Sequence, residues 1–266
     1  MKPARALLGR LGLRDPKPSA QRLLHEDAAL KVTAIDRPAA RTLVLCFTGV
    51  GHALGGIDTQ RAEFVGTMAS LGAASAFVFD KTRSWGNRVD FARVAELVAP
   101  LAPGARILGL GNSMGGFNAI LMSNFVAMET CVAFAPQFSV MPGVVPGESR
   151  WRDYVAAIED FRFPSLAGRF NARTRYVTMN GDGPAERAHW SRFPAPPNAR
   201  HLVVRGLGHD AAAGLKAAGV LGPFLAAAFE GRDPARALAG RVAWTDHGSG
   251  TGQSGGETGN LRRNPE

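Results

Sequence analysis

Cysteine is nearly absent: Cys46 and Cys131 are the only two in 266 residues, which excludes a small scaffold held by disulfides. Each lies inside an apolar, strand-like run. In the alternating fold argued below, another strand stands between them, a gap of roughly 9 to 10 Å that no disulfide spans. They read as buried free thiols, and the cytoplasm is the expected location. Long hydrophobic runs are missing too, and none approaches the roughly 20 residues needed to cross a bilayer. The N-terminus is basic but has no continuous apolar stretch of the secretory kind. Acidic residues are outnumbered 22 to 31, leaving a net charge of +9 and a pI near 10.5. The excess is almost all arginine scattered along the chain, and no basic helix is interleaved with aromatics. A nucleic-acid partner is therefore not expected. The one local excess, in the leader, allows a weak contact with an anionic surface.

What is present is a chain 45% hydrophobic, enough to bury the core of one α/β domain. Residues 1–22 read as a basic flexible leader and 23–245 as the domain. From about Asp246 a Gly/Ser-rich tail begins that cannot bury a core. Within the domain, short apolar runs alternate with helical periodicity. Strands are expected at 41–48, 74–79, 106–110, 130–135, 175–179 and 200–204, after one or two edge strands within 23–36. Helices are expected over 59–71, 88–101, 117–125, 186–191 and 211–229, the last kinked at Gly219 or Pro223. Such alternation predicts a mostly parallel sheet with helices on both faces. It breaks at 140–173, where prolines, Trp151, Tyr154 and several arginines suggest a small lid-like insertion.

In such sheets ligands bind beyond the C-terminal ends of the strands, and three chemically useful residues stand there. Ser113 lies in Gly111-Asn112-Ser113-Met114-Gly115, between an unbroken apolar strand and a helix. A nucleophile at the tip of so sharp a turn forces the residues two before and two after it together, so only glycine fits at 111 and 115. Asp182 follows the penultimate parallel strand in Asn180-Gly181-Asp182-Gly183. His209 follows the last in Gly206-Leu207-Gly208-His209.

From about Leu30 to Phe229 the chain resembles the α/β-hydrolase superfamily, whose triad runs nucleophile, acid, histidine along the sequence. The resemblance implies a serine hydrolase acting on a small-molecule carboxylic ester through an acyl-enzyme, with no metal and no organic cofactor. An acyltransferase or thioesterase would use the same triad. A non-catalytic member of the fold would typically lack one triad residue, and here all three positions are filled. Carried over, Ser113 attacks the acyl carbonyl, His209 shuttles the proton and Asp182 orients the imidazole. Asp182 is chosen by position. Glu186 lies a helical turn beyond the strand, Asp210 adjoins His209, and Asp80 follows a different strand. The Met114 N–H is the expected first oxyanion donor. The second is expected from Gly49-Val50-Gly51-His52, at Val50 or alternatively Gly49, where the family more often shows His-Gly-Gly. His52 is a further pocket candidate. Trp85, in the loop after the 74–79 strand, either walls the pocket or packs beneath a neighbouring helix.

Overall fold

The computed structural model describes residues 21–37, 40–51, 60–101 and 103–247. Residues 1–20 of the expected leader and nearly all of the tail lie outside the described residues; the leader's last residue, Arg22, instead opens the first strand. Nine strands form one sheet: β1 Arg22–Glu26, β2 Leu30–Ile35, β3 Thr42–Phe47, β4 Ala74–Asp80, β5 Arg106–Asn112, β6 Met128–Phe134, β7 Arg175–Gly181, β8 Ala199–Val204 and β9 Trp244–His247. Their spatial order is β1-β2-β4-β3-β5-β6-β7-β8-β9. The six central strands, β4 to β8 in that order, pair in parallel. Antiparallel pairs close both edges. Strand β9 carries the folded chain two residues past the expected boundary at 245. Asp246 stands opposite Leu202 and accepts from Arg200 Nε at 2.7 Å.

The central strands are mostly apolar because both faces are covered, with a few buried polar residues such as Ser75, Thr130, Thr178 and His201 among them. On β3, Leu43, Leu45 and Phe47 face one core, and Val44 and Cys46 face the other. The first core is covered by α2 (Phe91–Val98), α3 (Met114–Met122) and the segment between β6 and β7. The second is covered by α1 (Val65–Leu71), α6 (Ala211–Ala217) and α7 (Leu221–Phe229). That segment holds one short helix, α4 (Arg152–Val155), and after β7 comes α5 (Pro184–Trp190). Each fully buried Leu or Phe contributes about 1.5 to 3 kcal/mol of transfer free energy, so the sheet is a stiff platform.

Cys46 on β3 and Cys131 on β6 have β5 between them and point into opposite cores. Both thiols are free, and burial pushes both up. The expected 211–229 helix is two helices bent by 113°, broken where Gly219 takes φ 73. Pro223 sits in the first turn of α7, where its missing N–H costs nothing. Among the described residues no single helix is long and apolar enough to cross a membrane.

Candidate active site

Ser113 stands between β5 and α3 with φ 56 and ψ −124, a backbone conformation that L-residues rarely adopt. Such strain costs about 1 to 3 kcal/mol and persists only where the surroundings over-determine it. Here they do. A Cβ at position 111 would fall 2.1 Å from the Gly115 carbonyl oxygen, and one at 115 would fall 2.1 Å from that of Phe47. The Ser113 N–H is tied to the Phe134 carbonyl at 2.8 Å. Ser113 is 4% exposed and stands at the C-terminal end of β5.

His209 lies after β8, and its Nε2 is 2.8 Å from Ser113 Oγ. Its other ring nitrogen does not meet Asp182. The Asp182 carboxylate accepts the Gly206 N–H at 3.0 Å, and the Asp182 N–H donates to the Leu207 carbonyl at 3.1 Å. Asp182 thus ties the β7 end to the loop that carries His209. Glu186 makes the expected contact instead, with Oε1 3.2 Å from His209 Nδ1. The reason is local. Pro184 starts α5 at once, so Glu186 is its third residue, and helical side chains tilt back toward the N-terminus. A carboxylate one turn into the helix therefore hangs over the strand end. Gly181 permits the close approach, since a Cβ there would lie 2.1 Å from the Leu207 carbonyl oxygen.

Behind this pair stands a charged group, two of its members from the 140–173 segment. Arg150 Nη1 donates to Glu186 Oε1, and Arg150 Nη2 donates to Glu148 Oε2 at 2.5 Å. His189 Nε2 meets the same Glu148 oxygen at 2.6 Å, and His189 Nδ1 accepts the Phe138 N–H at 3.1 Å. Burial alone would raise Glu186, yet its partners His209 and Arg150 hold it below the ordinary carboxylate range. Glu148 is likewise held low against its burial by His189 and Arg150. Glu186 is an ionised acceptor at neutral pH.

Two tryptophans flank the histidine side. The ring of Trp151, from the segment between β6 and β7, lies 5.6 Å from that of His209, and Trp85 lies 6.1 Å beyond it. Trp151 also borders a cavity of about 500 Å3 lined by Val140, Val155, Ile158 and Phe161. Trp85 has no exposed surface and so does not wall a pocket. Its indole N–H donates to Gln137 Oε1 at 2.9 Å, and Gln137 Nε2 lies 3.0 Å from Ser113 Oγ.

Comparison with solved structures gives this arrangement its context. Carboxylesterase CesB from Bacillus subtilis superposes with a TM-score of 0.52 and 16% identity, over 82% of this chain and 94% of that one. The chain has the α/β-hydrolase fold. Carboxyl esterase 2 from Tuber melanosporum (TM-score 0.47, 15% identity, 74% and 79% covered) is also similar. So is an α/β serine hydrolase without lid from Xanthomonas campestris (0.43, 14%, 74% and 88%). No protein-family model matches the sequence, and no curated protein matches it significantly.

In the hydrolase fold the oxyanion donors would flank Ser113. Met114 is the first residue of α3, and the first N–H groups of a helix have no partner within it. Of the two residues considered after β3, the Gly49 N–H is engaged, donating to Glu63 Oε1 at 2.9 Å. The Val50 carbonyl accepts from Arg83 Nε at 3.1 Å, which anchors that turn. His52 lies outside the described residues. Burial pushes Glu63 up to about 7 against the pull of its Gly49 hydrogen bond. The other carboxylate weighed, Asp80, is spent within its own loop, accepting from Ser84 N, Ser84 Oγ and Gly86 N at 3.0 Å each. Among the described residues no three His, Cys, Asp or Glu side chains converge to hold a metal ion.

Glu186 carried the one usable sequence signal among the residues that reasoning misplaced or missed: an acid in the first turn of a helix after a strand. Gln137, Arg150 and Glu148 carried none, because nothing in their spacing announces where they point.

Proposed function

We propose that the chain is a serine hydrolase that cleaves a small carboxylic ester through an acyl-enzyme, with Ser113 as nucleophile, His209 as general base and acid, and Glu186 as the carboxylate behind it. The observation that carries this reading is the unbroken line Ser113 Oγ, His209 Nε2 at 2.8 Å, His209 Nδ1 to Glu186 Oε1 at 3.2 Å, ending on an ionised carboxylate. As Oγ bonds to the ester carbonyl carbon, its proton passes to Nε2, and Glu186 stabilises the imidazolium that forms. The Met114 N–H, with Val50 as the second donor, receives the oxyanion. Each such donor contributes about 3 to 4 kcal/mol to the barrier reduction. His209 then protonates the departing alcohol, water repeats the sequence on the acyl-enzyme, and the acid leaves.

The cavity beside Trp151 suits an apolar group of the ester, acyl or alcohol. The reaction uses only the chain's own residues and water, and the two free buried thiols fit a cytoplasmic location. The test is labelling with a fluorophosphonate probe, with the tag located by mass spectrometry. A single tag on Ser113, lost in Ser113→Ala, is the expected result. A tag elsewhere or none would overturn the reading.

A further inference from the structure

Gln137 follows β6, is 1% exposed, and holds two hydrogen bonds to chemically unlike partners. The two ends of an amide are usually hard to tell apart, but here the neighbour decides. An indole nitrogen can only donate, so the atom facing Trp85 Nε1 is the amide oxygen, and the atom facing Ser113 is the NH2 group. That NH2 cannot accept, so Ser113 Oγ accepts there. The single hydroxyl proton is then free for the other partner among the described residues, His209 Nε2, 2.8 Å away. Nε2 must be the unprotonated ring nitrogen, so in the neutral ring Nδ1 carries the proton and presents it to Glu186, which can only accept. A one-way chain of hydrogen bonds runs from a donor-only indole to an acceptor-only carboxylate.

We infer that Gln137 is a catalytic residue, its amide donating to Ser113 Oγ and so directing the serine proton onto His209. This rests on the serine hydrolase reading above. As Oγ attacks and its proton leaves for Nε2, negative charge gathers on Oγ before the bond to carbon is complete, and the Gln137 N–H stabilises it there. Trp85 is a positioning residue that acts through Gln137. Its own loop is fixed, with Arg83, Trp85 and Gly86 all at positive φ around the Asp80 carboxylate. That investment in a rigid loop has a use if the indole must aim an amide.

The test uses three variants, each checked for a native melt: Gln137→Met, Gln137→Glu and Trp85→Phe. Gln137→Met fills similar space without a donor. Its fluorophosphonate labelling at Ser113 should slow about 10- to 100-fold, with kcat for a short activated ester falling alike and KM held within about threefold. Trp85→Phe frees the amide to turn over and should give a smaller loss of the same kind. Gln137→Glu has the native size and gives a readout that packing alone would not move. Protonated, its carboxyl donates to Oγ as the amide does; ionised, it accepts the serine proton and competes with His209. The labelling rate relative to the native chain should therefore fall steadily as pH rises. The groups facing this position are Ser113 from the elbow and the Trp85 indole from the β4 loop. His209, Glu186 and Arg150 lie behind Ser113, and His189 holds the adjacent Phe138 N–H. Native labelling rates in Gln137→Met, or a flat ratio across pH in Gln137→Glu, would overturn the inference and leave the hydrolase reading intact. An unlabelled native chain would overturn the hydrolase reading, and this inference with it.

Discussion

The corner that carries Ser113 and the corner that carries Glu186 both deliver a side chain to His209, and they are built in opposite ways. Between β5 and α3 the backbone itself fixes the reactive atom. Position 113 is strained, and glycines on either side admit no other path. Between β7 and α5 the backbone is ordinary, and the carboxylate is placed by a helical turn and held by a side chain from elsewhere, Arg150. Neither corner admits an added methyl group, at Gly111 and Gly115 in the first or at Gly181 in the second, but only the second also depends on a charged partner that can be removed. Backbone strain fixes Ser113, and charge fixes Glu186.

The contrast is sharpened first by Ser113→Ala, which should cut ester turnover by about 10⁴ to 10⁶ while the melting temperature stays within about 2 °C. Gly115→Ala at the same corner should behave in the reverse order. Its Cβ meets backbone that cannot move aside, so the fold should lose several kcal/mol by chemical denaturation or fail to assemble. At the acid corner Arg150→Met should lower both the melt and kcat, the latter about tenfold, because the buried Glu148 and Glu186 lose the cation they share.

The pH dependence of stability separates the corners further. Glu186 is depressed in the fold. The stability it confers is present above the ordinary glutamate value of about 4.3 and is lost as pH falls through its lower folded value. Glu63, beside the nucleophile loop, has the opposite sign. Its folded value of about 7 makes it a liability that grows as pH rises from about 4.3 and is complete above about 7. Glu63→Gln, which keeps an acceptor for the Gly49 N–H, should therefore raise stability at pH 8 by about 1 to 3 kcal/mol and should change little at pH 4. A Glu63→Gln chain that is no more stable at pH 8 than the native one would remove that liability from the account.

The same contrast explains what the sequence could disclose. The elbow was legible because its requirement is steric and local: Gly111, Ser113 and Gly115 stand together, after an apolar run and before a helix. The parallel core was legible because β3 to β8 are buried on both faces and read as predominantly apolar stretches. The acid was not fixed by position, since Asp182 at the strand end and Glu186 one turn on differ in direction rather than in sequence logic. Asp182 had a second use, holding the Gly206 N–H, that only three dimensions show. Trp85 sits in a polar loop, the usual place for a pocket wall, yet the Asp80 carboxylate folds that loop inward and buries the ring. The 140–173 segment showed prolines, aromatics and arginines, but no spacing that says where they point. Two of its charges, Glu148 and Arg150, turn out to be internal partners of the site.

The central claim is that the triad is Ser113, His209 and Glu186, and a matched pair of isosteric changes tests it most directly. Turnover of a short activated ester near neutral pH is to be measured for Glu186→Gln and Asp182→Asn, each with a native melt. Loss of the carboxylate behind the histidine should cost Glu186→Gln about 10⁴ in kcat, while Asp182→Asn should stay within about threefold of the native chain. A severe Asp182→Asn beside a mild Glu186→Gln would contradict the account and return the acid to the end of β7.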